Sequence, residues 1–410
     1  MSEAPRETWA EANQRYLMAA LDGVRRALER HAAPEQRTGE AEPAPESSGA
    51  YALDYLCEAF GLSPFERSVL LLCAGMELES SFGARCAAAQ RDPRRPYPTF
   101  SLALAALPGA HWSALSPAAP LRRWKLIEVG AGDLLTQSPL RLDERVLHYL
   151  AGIAHLDERL RGLAEPVPAP PGLPPSQDNV ARRIAGVWAS APEGADWPAI
   201  QLVGEAAGVK RAVAARACAA LSLGLHALRA ADVPPGSDER EVFLRLWGRE
   251  AVLSRRALLL DAEELEGSER ARVLALLERI PGPVLMAVRE PLAGLRRPEV
   301  RLDVRRPSPE EQRTLWAAHL GGCSSNLNGH VESLVAQFSL GADSIRSACV
   351  QAMGEISSGA APDEALGELV WDACRGQARS RLDDLAQRIE PSAGWEDLVL
   401  PEPQRQLLAQ

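Results

Sequence analysis

The sequence predicts a multidomain fold, mainly α in its first part and α/β beyond it. Three observations carry this expectation. Apolar residues recur at steps of three and four through most of residues 7–150, the spacing of amphipathic helices. From about residue 180, short apolar runs alternate with helical ones, which implies a parallel sheet covered on both faces. Two runs poor in apolar residues, 33–50 and 165–179, separate these regions.

Bulk composition narrows the class. With 410 residues, 46% of them hydrophobic and 24% charged, the chain can build two or three packed domains, which excludes disorder throughout. Acidic residues outnumber basic ones by 55 to 45, and the resulting charge of -10 disfavours nucleic acid and anionic membrane as partners. The seven cysteines are dispersed without a C-x-x-C pair, as expected of reduced thiols in the cytoplasm rather than a disulfide framework or a zinc site. Histidine spacing offers no metal motif. The start has no basic-then-apolar order of a signal peptide, and no uninterrupted apolar run is long enough to span a bilayer, so a cytoplasmic protein without a membrane partner is expected.

Taken in order, residues 1–32 hold an amphipathic helix with Trp9, Ala12, Tyr16, Leu17, Ala20, Leu21, Val24 and Leu28 on one face, in need of a partner. Residues 33–50, rich in Pro, Glu, Ser and Gly, read as a flexible linker. In 51–164 a dense helical pattern begins, with Ser63-Pro64-Phe65-Glu66 as N-cap, first-turn proline and first-turn acid. It ends near "KLIEVGAGDLLTQ", two short apolar runs around Gly-Ala-Gly-Asp that predict a hairpin. Short helices followed by a hairpin are the order of a winged-helix domain. Its compact basic cluster is Arg122, Arg123 and Lys125, too little for DNA against the acidic whole, so protein docking is the expected use. Trp112, Trp124 and Trp316 are assigned to packing.

The Pro-rich run 165–179 predicts a stiff, extended linker. In 180–306 the strands are "AIQLVG", "LHALRA", "RALLLD", "PVLMAV" and "VRLDVR", with helices between the first four. Residues 307–388 are helical throughout, and 389–410 open a further unit.

The chemistry-bearing stretch is "GEAAGVKR", residues 204–211, between the first strand and a helix. A phosphate loop of pattern G-x-x-x-x-G-K-[ST] surrounds phosphates with backbone amides, neutralises them with the lysine and holds magnesium through the hydroxyl. Gly204, Gly208 and Lys210 are the candidate residues here, but Val209 stands where glycine is needed and Arg211 replaces the hydroxyl. "RALLLDAEEL" supplies Asp261 at a strand end, where an Asp supports magnesium, while Ala262 occupies the position of the base that polarises water. Glu263 and Glu264 follow too late and are expected to point elsewhere. "PVLMAVREP" has no Asn or Thr to position water. Lys210 is either a phosphate contact or a solvated lysine at a helix start, and Asp261 either a ligand at the sheet edge or a helix cap.

With these residues in place the chain resembles a tandem AAA+ ATPase of the bacterial kind, some members of which are encoded beside contractile injection systems. Gly204, Gly208 and Lys210 match the Walker A position and "RALLLDA" the Walker B strand. "FSLGADSIRSACVQAM" is similar to the lid-helix motif that places an arginine, here Arg346, as nucleotide sensor, with a surface ion pair as the alternative. Arg296, Arg297 and Arg301 lie near the expected arginine finger, where surface salt bridges serve equally well. "GLSPFERSVLLLCAGMEL" resembles the winged-helix region of such proteins, and "GWEDLVLP" resembles the opening of a second AAA+ module, so the chain is expected to be the leading part of a longer protein.

The resemblance implies a P-loop AAA+ parallel sheet with a helical lid, after an N-terminal winged-helix domain. It implies a homo-oligomeric ring, expected to be a hexamer, assembled through AAA+ modules. A protein client or partner docks through the N-terminal helix and winged helix. ATP or ADP is the implied cofactor, weakly held, and magnesium is not expected in this module. No catalytic residue carries over, because Val209, Arg211 and Ala262 occupy the required positions. Hydrolysis is expected only from a second module. The alternative is a winged-helix DNA-binding regulator that uses the AAA+ module as an oligomerisation platform.

Overall fold

A computed structural model describes residues 8–34, 51–191, 197–263, 265, 267–320, 330–358, 362 and 365–379. The expected linker 33–50, except for its first two residues, and the expected second-module opening 389–410 lie outside the described residues, as does Glu264. The chain divides into two compact units, Met1–Pro171 with Asp178–Val304, and Gly172–Gln177 with Arg305–Gln410. Mixed α/β structure, mostly helical, with a largely parallel sheet, is the observed class.

Among the described residues the first unit starts with seven helices: α1 (Trp9–Ala32), α2 (Ala52–Phe60), α3 (Pro64–Leu78), α4 (Phe82–Gln90), α5 (Phe100–Ala106), the single turn α6 (Pro120–Arg123) and α7 (Glu144–Leu150). The face of α1 that carries Tyr16, Leu17, Leu21, Val24 and Leu28 is buried in one core with Phe65, Leu70 and Leu72 of α3 and Phe82 of α4. Trp9 departs from the predicted face and is 51% exposed. Asn13, 1% exposed, is what fixes the register of α1: its amide donates to the Leu150 carbonyl at 2.8 Å and its oxygen accepts from the Ala52 amide at 3.0 Å. A buried amide satisfied at both ends costs little, whereas one left unpaired costs 1–3 kcal/mol by order of magnitude, roughly. At α3 the predicted cap is a full capping box, Ser63 Oγ accepting from the Glu66 amide and Glu66 accepting from the Ser63 amide.

The hairpin is β1 (Ile127–Val129) paired antiparallel with β2 (Leu140–Leu142). This corrects the predicted second strand. "DLLTQ" lies in the intervening loop with Leu134 and Leu135 exposed, while Leu140 and Leu142 are buried. The apolar pair that faces the core decides the pairing, because strand register is set by the buried face.

The sheet has the order β3-β5-β6-β7-β4-β8, with β4 (Ala199–Val203), β5 (Gly224–Arg229), β6 (Arg256–Asp261), β7 (Val284–Val288) and β8 (Glu299–Asp303) mutually parallel. The strand β3 (Glu165–Val167) adds antiparallel to β5 at the edge. Part of the predicted linker 165–179 is therefore sheet, and α8 (Pro175–Ala189) already begins within it. Pro166 has no amide to donate, which an edge strand tolerates. Helix α9 (Ala207–Ala220) packs on β5, β6 and β7. Helices α10 (Ser237–Leu253) and α11 (Gly267–Leu277) share a core with Leu258, Leu260, Val284 and Met286. Leu259, Leu285 and Ala287, the alternating residues, are buried as well, as in a parallel sheet covered on both faces.

Sheet and winged-helix part belong to one unit because α10 joins them through buried charge. Arg145 of α7 reaches Glu250 of α10 at 2.7 Å, and the two side chains are 2% and 0% exposed. Arg145 also donates to Ser254 Oγ at 2.7 Å. Arg249, fully buried, pairs with Asp143 at 3.0 Å, pairs with Asp157, and donates to the Lys125 carbonyl at 2.5 Å. Arg159 bridges Asp143 at 2.6 Å and Asp157 at 2.8 Å. Burial pushes the Asp157 carboxyl up, but hydrogen bonds from Arg159 and the charge of Arg249 outweigh it and hold the carboxyl below the usual carboxylate range.

The second unit is a helical cluster of α12 (Pro309–Leu320), α13 (His330–Gln337), α14 (Ala342–Ser357) and α15 (Leu366–Arg379) around Trp316, Leu334, Ile345, Ala348, Val370 and Cys374.

Candidate nucleotide site

In the sheet, β4 lies between β7 and β8. The chain leaves β4 for β5, beyond β7 and β6, and then returns strand by strand and passes β4 to reach β8. The adjacent strands β4 and β7 connect in opposite directions, toward β5 and toward β8, so the crevice outside their C-terminal ends is the topological switch point, where open α/β sheets bind ligands.

Gly204 follows the C-terminal end of β4. Its φ is +152°, and a Cβ there would lie 2.3 Å from the Val304 carbonyl oxygen. The backbone just beyond β8 thus supplies a packing reason for this glycine, independent of any phosphate. Only Gly204, Glu205 and Ala206 separate β4 from α9, so Gly208 and Val209 are already in the first helical turn. The Lys210 amide donates to the Ala206 carbonyl at 3.1 Å, and Val209 is 6% exposed. An amide spent on closing a helical turn is not directed into a phosphate cradle.

Lys210 is 0% exposed, so it is not a solvated lysine. Its ammonium donates to the Gly204 carbonyl, to the Val288 carbonyl at 2.7 Å and to the Glu263 carboxylate at 2.7 Å. An ammonium has three donors, and all three are engaged. A buried lysine persists only when paired and hydrogen-bonded in this way. Glu263 is the residue of this cluster that sequence reasoning missed. Its distance past the strand end suggested that it pointed elsewhere, whereas the bend after β6 turns it toward α9.

Beside it, Arg211 Nη2 donates to Asp261 Oδ2 at 2.8 Å. Asp261 therefore holds an arginine and does not act as a helix cap. Ala262 at the base position is 3% exposed, and its amide donates to the Ala287 carbonyl at 2.9 Å. The arrangement brings Gly204, Lys210, Arg211, Asp261 and Glu263 together. No hydroxyl faces Asp261 from position 211, and Ala262 has no group that can take a proton.

The remaining candidates have their own partners. Arg346, in the second unit, is 57% exposed in its side chain and pairs with Asp343 at 2.7 Å across one helical turn. Arg301 pairs with Glu299 at 2.5 Å, and Arg297 donates to the backbone carbonyls of Leu277, Ile280 and Trp197. In the basic cluster, Arg122 donates to the Leu115 carbonyl and Arg123 lies over the Trp124 ring at 5.0 Å. Trp316 is fully buried and Trp124 packs on the first core, as assigned, but Trp112 is 66% exposed. Trp112 opens a 3-10 turn, Trp112–Leu115, in which Ala114 and Leu115 are the buried residues.

Two family models match the chain. Residues 2–164 match the winged helix domain, variant, and residues 308–380 match the contractile injection system ATPase helical domain. A winged helix domain and a helical domain of the contractile injection system ATPase type are therefore present, one on each side of the sheet in sequence. No curated protein matches the chain. Among the described residues no helix is long and apolar enough to cross a membrane.

Proposed function

We propose that the chain is the N-terminal part of a tandem AAA+ remodelling ATPase that serves a contractile injection system, and that it provides assembly and partner docking without hydrolysing ATP. The observation that carries this reading is the order of its parts. A matched winged helix domain precedes a parallel sheet with Gly204, Lys210 and Asp261 at its switch point, and a matched contractile injection system ATPase helical domain follows. The sheet between them is read as a P-loop AAA+ module whose site is degenerate, since Arg211 pairs with Asp261 and Ala262 stands where a base is needed.

The cofactor this family implies is ATP or ADP, and the residues present do not fit it. Every donor of the Lys210 ammonium is engaged, its amide closes a helical turn, and Asp261 is taken by an arginine. Magnesium has no ligand pair here. Docking falls to the winged helix domain, where Leu134, Leu135 and Trp112 are exposed; the apolar face of α1 is spent in the core. A basic cluster of only Arg122, Arg123 and Lys125, with Arg122 held by the Leu115 carbonyl, on a chain of charge -10 gives the DNA reading little support.

Assembly is tested by light scattering on the purified chain with nucleotide omitted and with magnesium ATP added. The expected result is one multimeric mass in both. A chain that stays monomeric throughout, or that assembles only with nucleotide, overturns the proposed role.

A further inference from the structure

The ionic content of the switch point is closed without any ligand. Two cations, Lys210 and Arg211, face two carboxylates, Asp261 and Glu263, with Lys210–Glu263 at 2.7 Å and Arg211–Asp261 at 2.8 Å. A site built for a magnesium nucleotide leaves the lysine for phosphate oxygens and the aspartate for the cation. We propose that Glu263 and Arg211 are resident substitutes for those two ionic components. The Glu263 carboxylate takes the role of the terminal phosphate toward Lys210, and the Arg211 guanidinium takes the role of the cation toward Asp261.

This rests on the reading of the sheet as an AAA+ module and deepens it. The loop is an internally liganded strut, folded to the same state whether nucleotide is present or not. A merely decayed site would leave a buried lysine unpaired, which burial does not tolerate. Here the lysine is fully buried and its donors reach two carbonyls and one carboxylate, from the end of β4, the end of β7 and the bend after β6. Glu263 and Arg211 lie on different elements and serve different partners, so the two substitutions act as separate replacements for separate charges.

The inference predicts that removing the carboxylate uncovers the original anion preference. Thermal unfolding of the full chain, with and without millimolar inorganic pyrophosphate, is the readout, using wild type, Glu263→Ala, Glu263→Gln and Glu263→Ala combined with Lys210→Ala. Wild type should not respond. Glu263→Ala should melt lower and recover with pyrophosphate, binding it about tenfold or more tighter than wild type, equivalent to one decade in Kd. The response should vanish in the double variant, which a purely structural role of Glu263 would not predict. If Glu263→Ala does not fold, Glu263→Gln keeps the shape without the charge and should show the same response more weakly. Folded Glu263 variants that ignore pyrophosphate, or a wild type that responds as strongly as they do, overturn the inference. That outcome with no ATP turnover leaves the proposed function standing; turnover of ATP by wild type would instead overturn the reading of a non-hydrolysing module.

Discussion

At the scale of single residues, the site is governed by what each group must do once water is removed. Gly204 is held at φ +152° with the Val304 carbonyl beside it, so Gly204→Ala forces either backbone strain or displacement of the chain beyond β8. We expect a loss of about 2–4 kcal/mol in denaturant unfolding, the range of substitutions at special backbone conformations. His226 of β5 is a second such residue. It is buried, and burial first, then the Arg256 guanidinium at 2.7 Å, push its pKa down from 6.5 to about 4. A depressed histidine binds its proton more readily in the unfolded chain. Its contribution is therefore intact above pH 6.5 and is lost as pH falls toward 4. Urea titrations across that window should show stability falling by about 3 kcal/mol from this group, and His226→Gln should remove that component of the slope. The residues of the candidate site were legible by position but not by state. Gly204, Lys210 and Asp261 could be placed from spacing after an apolar strand, whereas the engagement of Glu263 depends on how the bend after β6 turns, which no spacing rule encodes.

At the scale of elements, β4 to β7 were readable because each is a short run of mostly apolar residues between helical periods, and β8 because Val300 and Leu302 alternate with charged residues. The strand β3 was not, since "EPV" opens a proline-rich stretch and becomes a strand only because β5 offers it an edge. In the wing, two apolar runs competed for one partner, and burial of Leu140 and Leu142 decided against "DLLTQ". The joint of α10 was equally hidden. Arg249 and Glu250 read as ordinary helix charges, and both are fully buried because α7 and the segment around Asp157 bring counter-charges to them from about a hundred residues earlier in the chain. Glu250→Ala leaves the Arg145 guanidinium buried without its carboxylate and should cost about 3–5 kcal/mol. Replacing both partners with apolar residues, Arg145→Met with Glu250→Leu, should cost less, because the desolvation penalty of both charges disappears together, although the longer 3.7 Å pairing of Arg256 with Glu250 is also lost. Chemical denaturation of the two variants beside wild type measures the difference; equal losses would contradict the assignment of the joint to paired buried charge.

At the scale of the whole molecule, three parts are joined in one chain: a winged helix domain, a largely parallel sheet with an ionically closed switch point, and a helical domain of the contractile injection system ATPase type. The α10 joint makes the first two a single compact unit, so a partner docked on the wing is attached to a folded platform rather than to a tethered module. On the proposed reading, a switch point closed by its own charges would make that platform independent of the nucleotide cycle. The same reading would separate the two tasks of the proposed machine, with docking and assembly assigned here and hydrolysis to another module. The most direct test of this division is steady-state ATP turnover by the purified chain with magnesium, beside Lys210→Ala. The account predicts no turnover above the level of that variant. A magnesium-dependent rate that Lys210→Ala abolishes would contradict it.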